Sequence, residues 1–228
     1  MRKALQSATL LLLFCLVVDV RAQSDSAEPF GLVKVVAPEG ATTREWRKLM
    51  TNVKAELRDI KRCREQPDQC TQAVREFEAI VNDAKSQQGR AKIALVNERV
   101  NGKIRYKSDQ VETGVEDTWN LALAVLTKKV GDCEDYALAK NAALHQAGIS
   151  DADLRIVLVH DNAVRVDHAV LAVRDDKQWL ILDNRWNKLY TDKELRQFKP
   201  LFVVERRGVS LLSKMFRLND IAIATRSR

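Results

Sequence analysis

Gly131-Asp132-Cys133-Glu134-Asp135-Tyr136 sets one cysteine among three acids at the point where the texture of the chain changes. Gly131 ends a helical pattern over Trp119 to Leu126. Asp132 can cap a second helix, from Cys133 to about Ala147, which Gly148 stops. Beyond it, Leu154 to Val159, Ala169 to Val173, Trp179 to Leu182 and Leu201 to Val204 are short apolar runs rich in β-branched residues. They are predicted strands. Asp175-Asp176-Lys177-Gln178 is polar and suits a hairpin between two of them.

Working outward toward the N-terminus, the period becomes helical. Trp46, Leu49, Met50, Val53, Leu57 and Ile60 recur at helical spacing, with Thr42 or Thr43 as the cap. Val74, Phe77, Ile80, Val81 and Ala84 repeat the pattern, Gly89 breaks it, and Ile93, Ala94, Val96 and Val100 suggest a third helix. Asn101-Gly102 reads as a turn. Helices first and a sheet afterwards make an α+β domain.

The ends carry a different signal. Arg2 and Lys3 precede an apolar run from Ala8 to Val18, and Val20-Arg21-Ala22 offers small residues where a signal peptidase reads. The run is about half of the ~20 residues a bilayer span needs. Residues 1–22 are therefore expected to be a cleaved signal peptide, which places the mature protein in the periplasm with no membrane span. Residues 23–42 read as an extended leader, 43–205 as the domain and 206–228 as a basic C-terminal tail. Removing residues 1–22 takes three basic residues and one acidic residue from 38 and 31, so the net charge falls from +7 to +5. That excess is dispersed and lacks the aromatic interleaving of a nucleic-acid surface, so no nucleic-acid partner is expected.

Cleavage also removes Cys15. Cys63 and Cys70 flank a short polar stretch between two helical patterns and are expected to form a disulfide in an exported protein. Cys133 is then an odd thiol in an oxidising compartment. At the first turn of a helix it faces free amide donors and the positive end of the macrodipole, which favour thiolate. The flanking acids oppose this, since nearby negative charge raises a thiol pKa. A bound cation would relieve that conflict. Gly131 would let a substrate backbone come close.

A cysteine nucleophile needs a base, and the base needs an orienting group. His145 lies twelve residues along the same helix, about 18 Å away. His160 ends a strand beside Asp161-Asn162 and reads as an exposed turn residue. His168 opens a strand, and Asp183 closes the next one at Leu-Asp-Asn-Arg. If the two strands form a hairpin, these side chains come from its outer ends and can lie together. The alternative is a satisfied strand-end histidine and a turn aspartate. Trp119 suits either a substrate groove or the core.

Gly-Val-Glu-Asp-Thr-Trp (114–119), Gly-Asp-Cys-Glu-Asp-Tyr-Ala-Leu-Ala-Lys (131–140), Asp-His-Ala-Val-Leu-Ala-Val (167–173) and Leu-Asp-Asn-Arg (182–185) resemble the bacterial transglutaminase-like cysteine proteinases. The resemblance covers roughly residues 40–205. It implies a transglutaminase/papain-like core, with an N-terminal helical region packed on an antiparallel sheet. It further implies a catalytic triad of Cys133, His168 and Asp183, and Ca²⁺ at Asp132, Glu134 and Asp135, whose hard carboxylate oxygens suit that ion. One branch of the family is a Lap-type periplasmic protease that clips large surface adhesins. By that analogy the substrate is an exported or surface protein, such as a large adhesin, and an inner-membrane receptor restrains the enzyme. Two other readings share the fold: an acyl-transfer enzyme (transglutaminase or deamidase), and a non-catalytic calcium-binding module.

Overall fold

A computed structural model describes residues 28–108 and 118–214. The expected signal peptide, residues 114–117 of the first family stretch and the last part of the tail lie outside the described residues.

After one short strand near the start, three helices follow along the chain. α1 (Ala41–Glu65) buries Leu49, Ile60 and Cys63, and a disulfide between Cys63 and Cys70 joins its end to α2 (Gln72–Lys85). Thr43 does not cap α1 from outside. The helix starts two residues earlier, and Thr43 Oγ1 reaches back to accept from the Gly40 amide at 2.8 Å. Thr71 caps α2 through Val74 N–H. α3 (Gly89–Lys103) runs through Asn101-Gly102, which is therefore helix and not turn. The reason is tertiary: Asn101 Nδ2 donates to Asp183 O at 3.1 Å and to Trp186 O at 3.2 Å, so the residue is anchored from across the fold.

α4 (Ala122–Lys128) is shorter than the periodicity predicts and excludes Trp119. Lys129, at φ 59°, turns the chain into a short strand rather than ending a helix at Gly131. That strand, β3 (Val130–Gly131), pairs in parallel with β2 (Arg105–Tyr106). α5 (Cys133–Gln146) follows at once, with Asp132 in the capping position but making no capping hydrogen bond.

The sheet has seven strands in the order β1-β9-β8-β4-β5-β6-β7, and every neighbouring pair is antiparallel. They are β1 (Val33–Val36), β4 (Leu154–Asp161), β5 (Val166–Asp175), β6 (Gln178–Asp183), β7 (Trp186–Thr191), β8 (Phe198–Glu205) and β9 (Gly208–Ser213). Asp175 pairs with Gln178, so the polar stretch at 175–178 is the β5–β6 hairpin turn. Mixed helices on an antiparallel sheet make this an α+β fold.

The sheet extends beyond the stretch expected to form the domain at both ends. β9 comes from residues assigned to the basic tail and β1 from the leader. Both are too short for their apolar residues to show a period, and backbone pairing with long-range polar contacts nearby secures them. Arg155 Nε donates to Glu28 Oε2 at 2.7 Å, and Phe30 N–H donates to Asp192 Oδ2 at 2.7 Å. Two apolar clusters fill the fold. One lies among the helices and takes Ile156, Leu171, Leu180 and Leu182 from the sheet. The other covers the opposite face with Val159, Val170, Trp179, Ile181 and Phe198. Strand alternation sends successive residues to the two clusters.

Candidate active site

Three elements meet at the site: the N-terminus of α5, the start of β5 and the end of β6. Leu171 pairs with Leu182 in the β5–β6 register. His168, three residues back, and Asp183, one residue on, therefore share the opposite face of the hairpin. Their side chains meet there, with His168 Nε2 3.0 Å from Asp183 Oδ2. Both are buried, and the imidazole packs edge-on against Phe198 at 6.1 Å. With Nε2 engaged, Nδ1 is the ring nitrogen left for proton transfer.

Asp183 has a second support. Arg185 N–H donates to its Oδ1 at 2.9 Å and Arg185 Nη2 to its Oδ2 at 3.0 Å. Burial acts to raise the Asp183 pKa, but the hydrogen bonds from His168 and Arg185 outweigh it and hold the group at about 2. Arg185 Nη1 also donates to buried Asp161 Oδ2 at 2.9 Å, and its guanidinium lies 4.5 Å from the centre of the Trp186 ring. Arg185 closes the Leu-Asp-Asn-Arg stretch, but only the folded turn assigns it this role.

Cys133 is the free cysteine among the described residues. The backbone N–H of Ala169, next to His168, interacts with its sulfur. The thiol faces Glu134 Oε2 at 3.2 Å. Burial pushes the thiol pKa up, Glu134 and Asp132 push it further, and the Ala169 N–H only partly offsets them. Burial first and the acids second thus outweigh the helix terminus, and the thiol pKa is raised.

The other histidines lie elsewhere. His145 Nε2 is 3.3 Å from Asp151 Oδ1, and His160 Nδ1 is 2.7 Å from Asp167 Oδ1. Trp119 is a core residue, packed edge-on against Trp46 at 6.3 Å. An apolar cleft beneath α1, lined by Trp46, Met50, Val53 and Leu57, does not include Cys133, His168 or Asp183.

Asp132, Glu134 and Asp135 are all buried. Asp135 Oδ1 accepts from Asn120 N–H at 2.8 Å, a contact the sequence does not reveal. A Cβ on Gly131 would stand 2.9 Å from Asp135 Cβ, so Gly131 makes room for Asp135 rather than for substrate backbone. As placed, no three His, Cys, Asp or Glu side chains among the described residues gather closely enough to hold a metal ion. Carboxylate oxygens nonetheless suit a hard cation, and the charge of two of these groups, Glu134 and Asp132, opposes the thiolate at Cys133. Tyr106, exposed and paired with Gly131 in the β2–β3 ladder, stands near enough for Cys133, Asp132 and Glu134 to act on its phenol.

Residues 51–196 match the family described as bacterial transglutaminase-like cysteine proteinases. No curated protein sequence matches the chain. Among solved structures, Legionella pneumophila LapG superposes with a TM-score of 0.55 at 19% identity, over 77% of this chain and 90% of that one. Its calcium-bound form gives 0.59 at 19% identity, over 74% and 99%. Its EGTA-treated form gives 0.55 at 18%, over 84% and 100%.

Proposed function

From the premise that this chain belongs to the bacterial transglutaminase-like cysteine proteinases, and is therefore a cysteine peptidase, we propose that it is a calcium-dependent endopeptidase of the periplasm with Cys133, His168 and Asp183 as its triad. The observation that carries the reading is the His168–Asp183 pair on the β5–β6 hairpin, with the free thiol of Cys133 against the adjoining Ala169 amide.

Each residue has a chemical task. Cys133 Sγ attacks the scissile carbonyl carbon while His168 Nδ1 takes the thiol proton. The C–N bond then breaks, the proton passes to the leaving amine, and a thioester remains on Cys133. Water, deprotonated by His168, hydrolyses that thioester and restores the thiol. Asp183 keeps the imidazole oriented and balances its charge. The amides at the start of α5 are the proposed donors to the developing oxyanion.

Asp132, Glu134 and Asp135 are the proposed Ca²⁺ ligands, and the ion would supply positive charge beside the thiol. Legionella LapG exists in calcium-bound and EGTA-treated forms, which makes calcium a reasonable assignment for a protein of this fold. The proposed substrate is an exported or surface protein of the large-adhesin class, with an inner-membrane receptor as restraint. The apolar run at residues 8–18 supports the periplasmic location.

The test is to compare the N-termini of exported proteins from cells with wild-type enzyme and cells with Cys133→Ala. New N-termini that need Cys133 and vanish with chelator support the proposal. Ammonia release from glutamine side chains without chain cleavage would replace it with acyl transfer.

A further inference from the structure

Asp161 ends β4, is buried at 2% exposure, and uses both carboxylate oxygens. Oδ1 accepts from Ala163 N–H at 3.0 Å, a local contact that closes the turn between β4 and β5. Oδ2 accepts from Arg185 Nη1 at 2.9 Å, across 24 residues of sequence. The turn asks for the first contact alone. The second reaches the group that holds Asp183.

Strand register brings these residues together. Val159 pairs with His168 and Asp161 with Val166, so Asp161 and His168 project from one face of the sheet. The ladder between β4 and β8 then slips between Leu158 and Val159. Beyond the slip, Asp161 pairs with Phe198. The register in which Leu158 pairs with Phe202, carried on unbroken, would set Lys199 opposite Asp161 instead. A bulge re-aims the side chains that follow it. Here it sets an aromatic ring beside His168 and Arg185, where a further cation would repel the guanidinium.

Arg185 lies among these groups. Its Nε and Nη2 donate to Asp183 at 3.2 and 3.0 Å, and its Nη1 donates to Asp161. The guanidinium centre stands 4.5 Å from the Trp186 ring and 5.5 Å from the Phe198 ring. The side chain is still 29% exposed, so a long arginine tied to Asp183 alone would be free to swing outward. A planar fork gripped along two edges and packed on two rings is not.

We propose that Asp161 is a positioning residue of the active site: with Phe198 it clamps Arg185, and through Arg185 it fixes the Asp183 carboxylate. The inference rests on the reading of Asp183 as the group that orients His168. Asp161 touches neither the thiol nor the imidazole in this role. It acts by holding the cation that holds the orienting group.

Two measurements decide the matter. Asp161→Asn keeps an oxygen for Ala163 N–H and removes the charge that faces Arg185. Its kcat should fall about fivefold with KM unchanged, less than for loss of the guanidinium, because Asp183 keeps its own bonds to Arg185. In an Arg185→Met background the same change should cost less than about twofold, since no guanidinium remains to be held. An unchanged kcat in Asp161→Asn, or an equal loss in both backgrounds, would leave Asp161 a turn residue and overturn the proposal.

The second measurement needs no activity. With ¹⁵N-labelled arginine in the full chain, the Arg185 guanidinium is assigned by the signal missing from Arg185→Met. Its rotation should be about tenfold slower than that of exposed Arg58, and about tenfold faster in Asp161→Asn than in wild type. Rotation unmoved by Asp161→Asn overturns the proposal. So does rotation as fast as that of Arg58 in the wild-type protein, even if Asp161→Asn fails to fold. An active His168→Ala enzyme would sink the triad but leave the guanidinium clamped, so the two failures can be told apart.

Discussion

His168 Nε2 lies 3.0 Å from Asp183 Oδ2, on the face of the β5–β6 hairpin away from Leu171 and Leu182. The pair is set by register, because a one-residue slip would send one side chain to the other face of the sheet. Cys133→Ala, His168→Ala and Asp183→Ala should each reduce kcat/KM by about a thousandfold or more, and double variants should cost little beyond the worst single change. His145→Ala and His160→Ala should retain most activity. Proteolysis of a reporter peptide checks this. A dead His145→Ala beside an active His168→Ala would displace the triad.

Arg185 holds Asp183 through both backbone and guanidinium, so Arg185→Met should lower kcat by about tenfold with little change in KM. Acid stability gives a second readout. The Asp183 pKa is depressed to about 2 in the folded protein, so its contribution is present above the unfolded value of 3.8 and lost as pH falls through about 2. Removing the guanidinium raises the folded value, and the acid-unfolding midpoint should move to higher pH, with about 1 kcal/mol lost at pH 5. Near-UV circular dichroism along an acid titration measures the shift. An unchanged midpoint would show that His168 alone sets the Asp183 charge.

The division into helices and then strands is written in local pattern, because each long element buries one face and repeats accordingly. Ile80, Val81, Leu171 and Leu182 all fall in the core that such repeats imply. What pattern cannot carry is a contact made by one polar group across the fold. Asn101-Gly102 has the composition of a turn, yet Asn101 belongs to a helix because the β6–β7 turn needs its amide. β1 and β9 are too short to announce themselves by period, and they join the sheet through backbone pairing, with Glu28 on Arg155 beside them. The site divides in the same way. The Gly-Asp-Cys-Glu-Asp stretch marks itself by its chemistry, and His168 and Asp183 follow from a hairpin argument. Asn120 reaches Asp135 and Arg185 reaches Asp161 from afar in sequence, so nothing local announces those contacts.

Glu56 accepts from Leu123 N–H at 2.8 Å and so caps α4 from α1. Burial raises its pKa from 4.5 to about 7. For a carboxyl raised in the folded state, stability is fully present below about 4.5 and declines as pH rises toward about 7. Glu56→Gln keeps an acceptor and removes the titration. It should flatten that slope and add on the order of 2 kcal/mol at pH 8, after allowance for partial exposure. Urea unfolding at pH 5 and pH 8 decides, and an equal slope in both proteins would rule the group out.

The Cys63–Cys70 bridge closes a short loop between α1 and α2, and the neighbouring Arg64 reaches Gln146 at the end of α5 opposite Cys133. Its removal in Cys63→Ala/Cys70→Ala should cost about 2.5 kcal/mol in stability and leave kcat unchanged. Thermal unfolding and peptide assay separate the two effects. A loss of kcat in the folded double variant would tie the bridge to the site.

Glu134 Oε2 faces the Cys133 thiol at 3.2 Å, and its charge helps keep the proton on sulfur. In chelator, wild-type Cys133 should therefore alkylate with iodoacetamide near neutral pH more slowly than a free cysteine of pKa ~8.5. Glu134→Gln removes both the acceptor charge and one proposed calcium ligand. Its rate in chelator should rise about tenfold, for roughly one pH unit of relief at the thiol. Added Ca²⁺ should speed wild type and leave Glu134→Gln nearly unchanged, because the ion and the substitution cancel the same negative charge. Asp132→Asn should behave similarly but more weakly, since Asp132 adds less to the thiol shift than Glu134. If Glu134→Gln alkylates no faster than wild type in chelator, desolvation alone governs the thiol, and relief of acid charge is not what calcium provides.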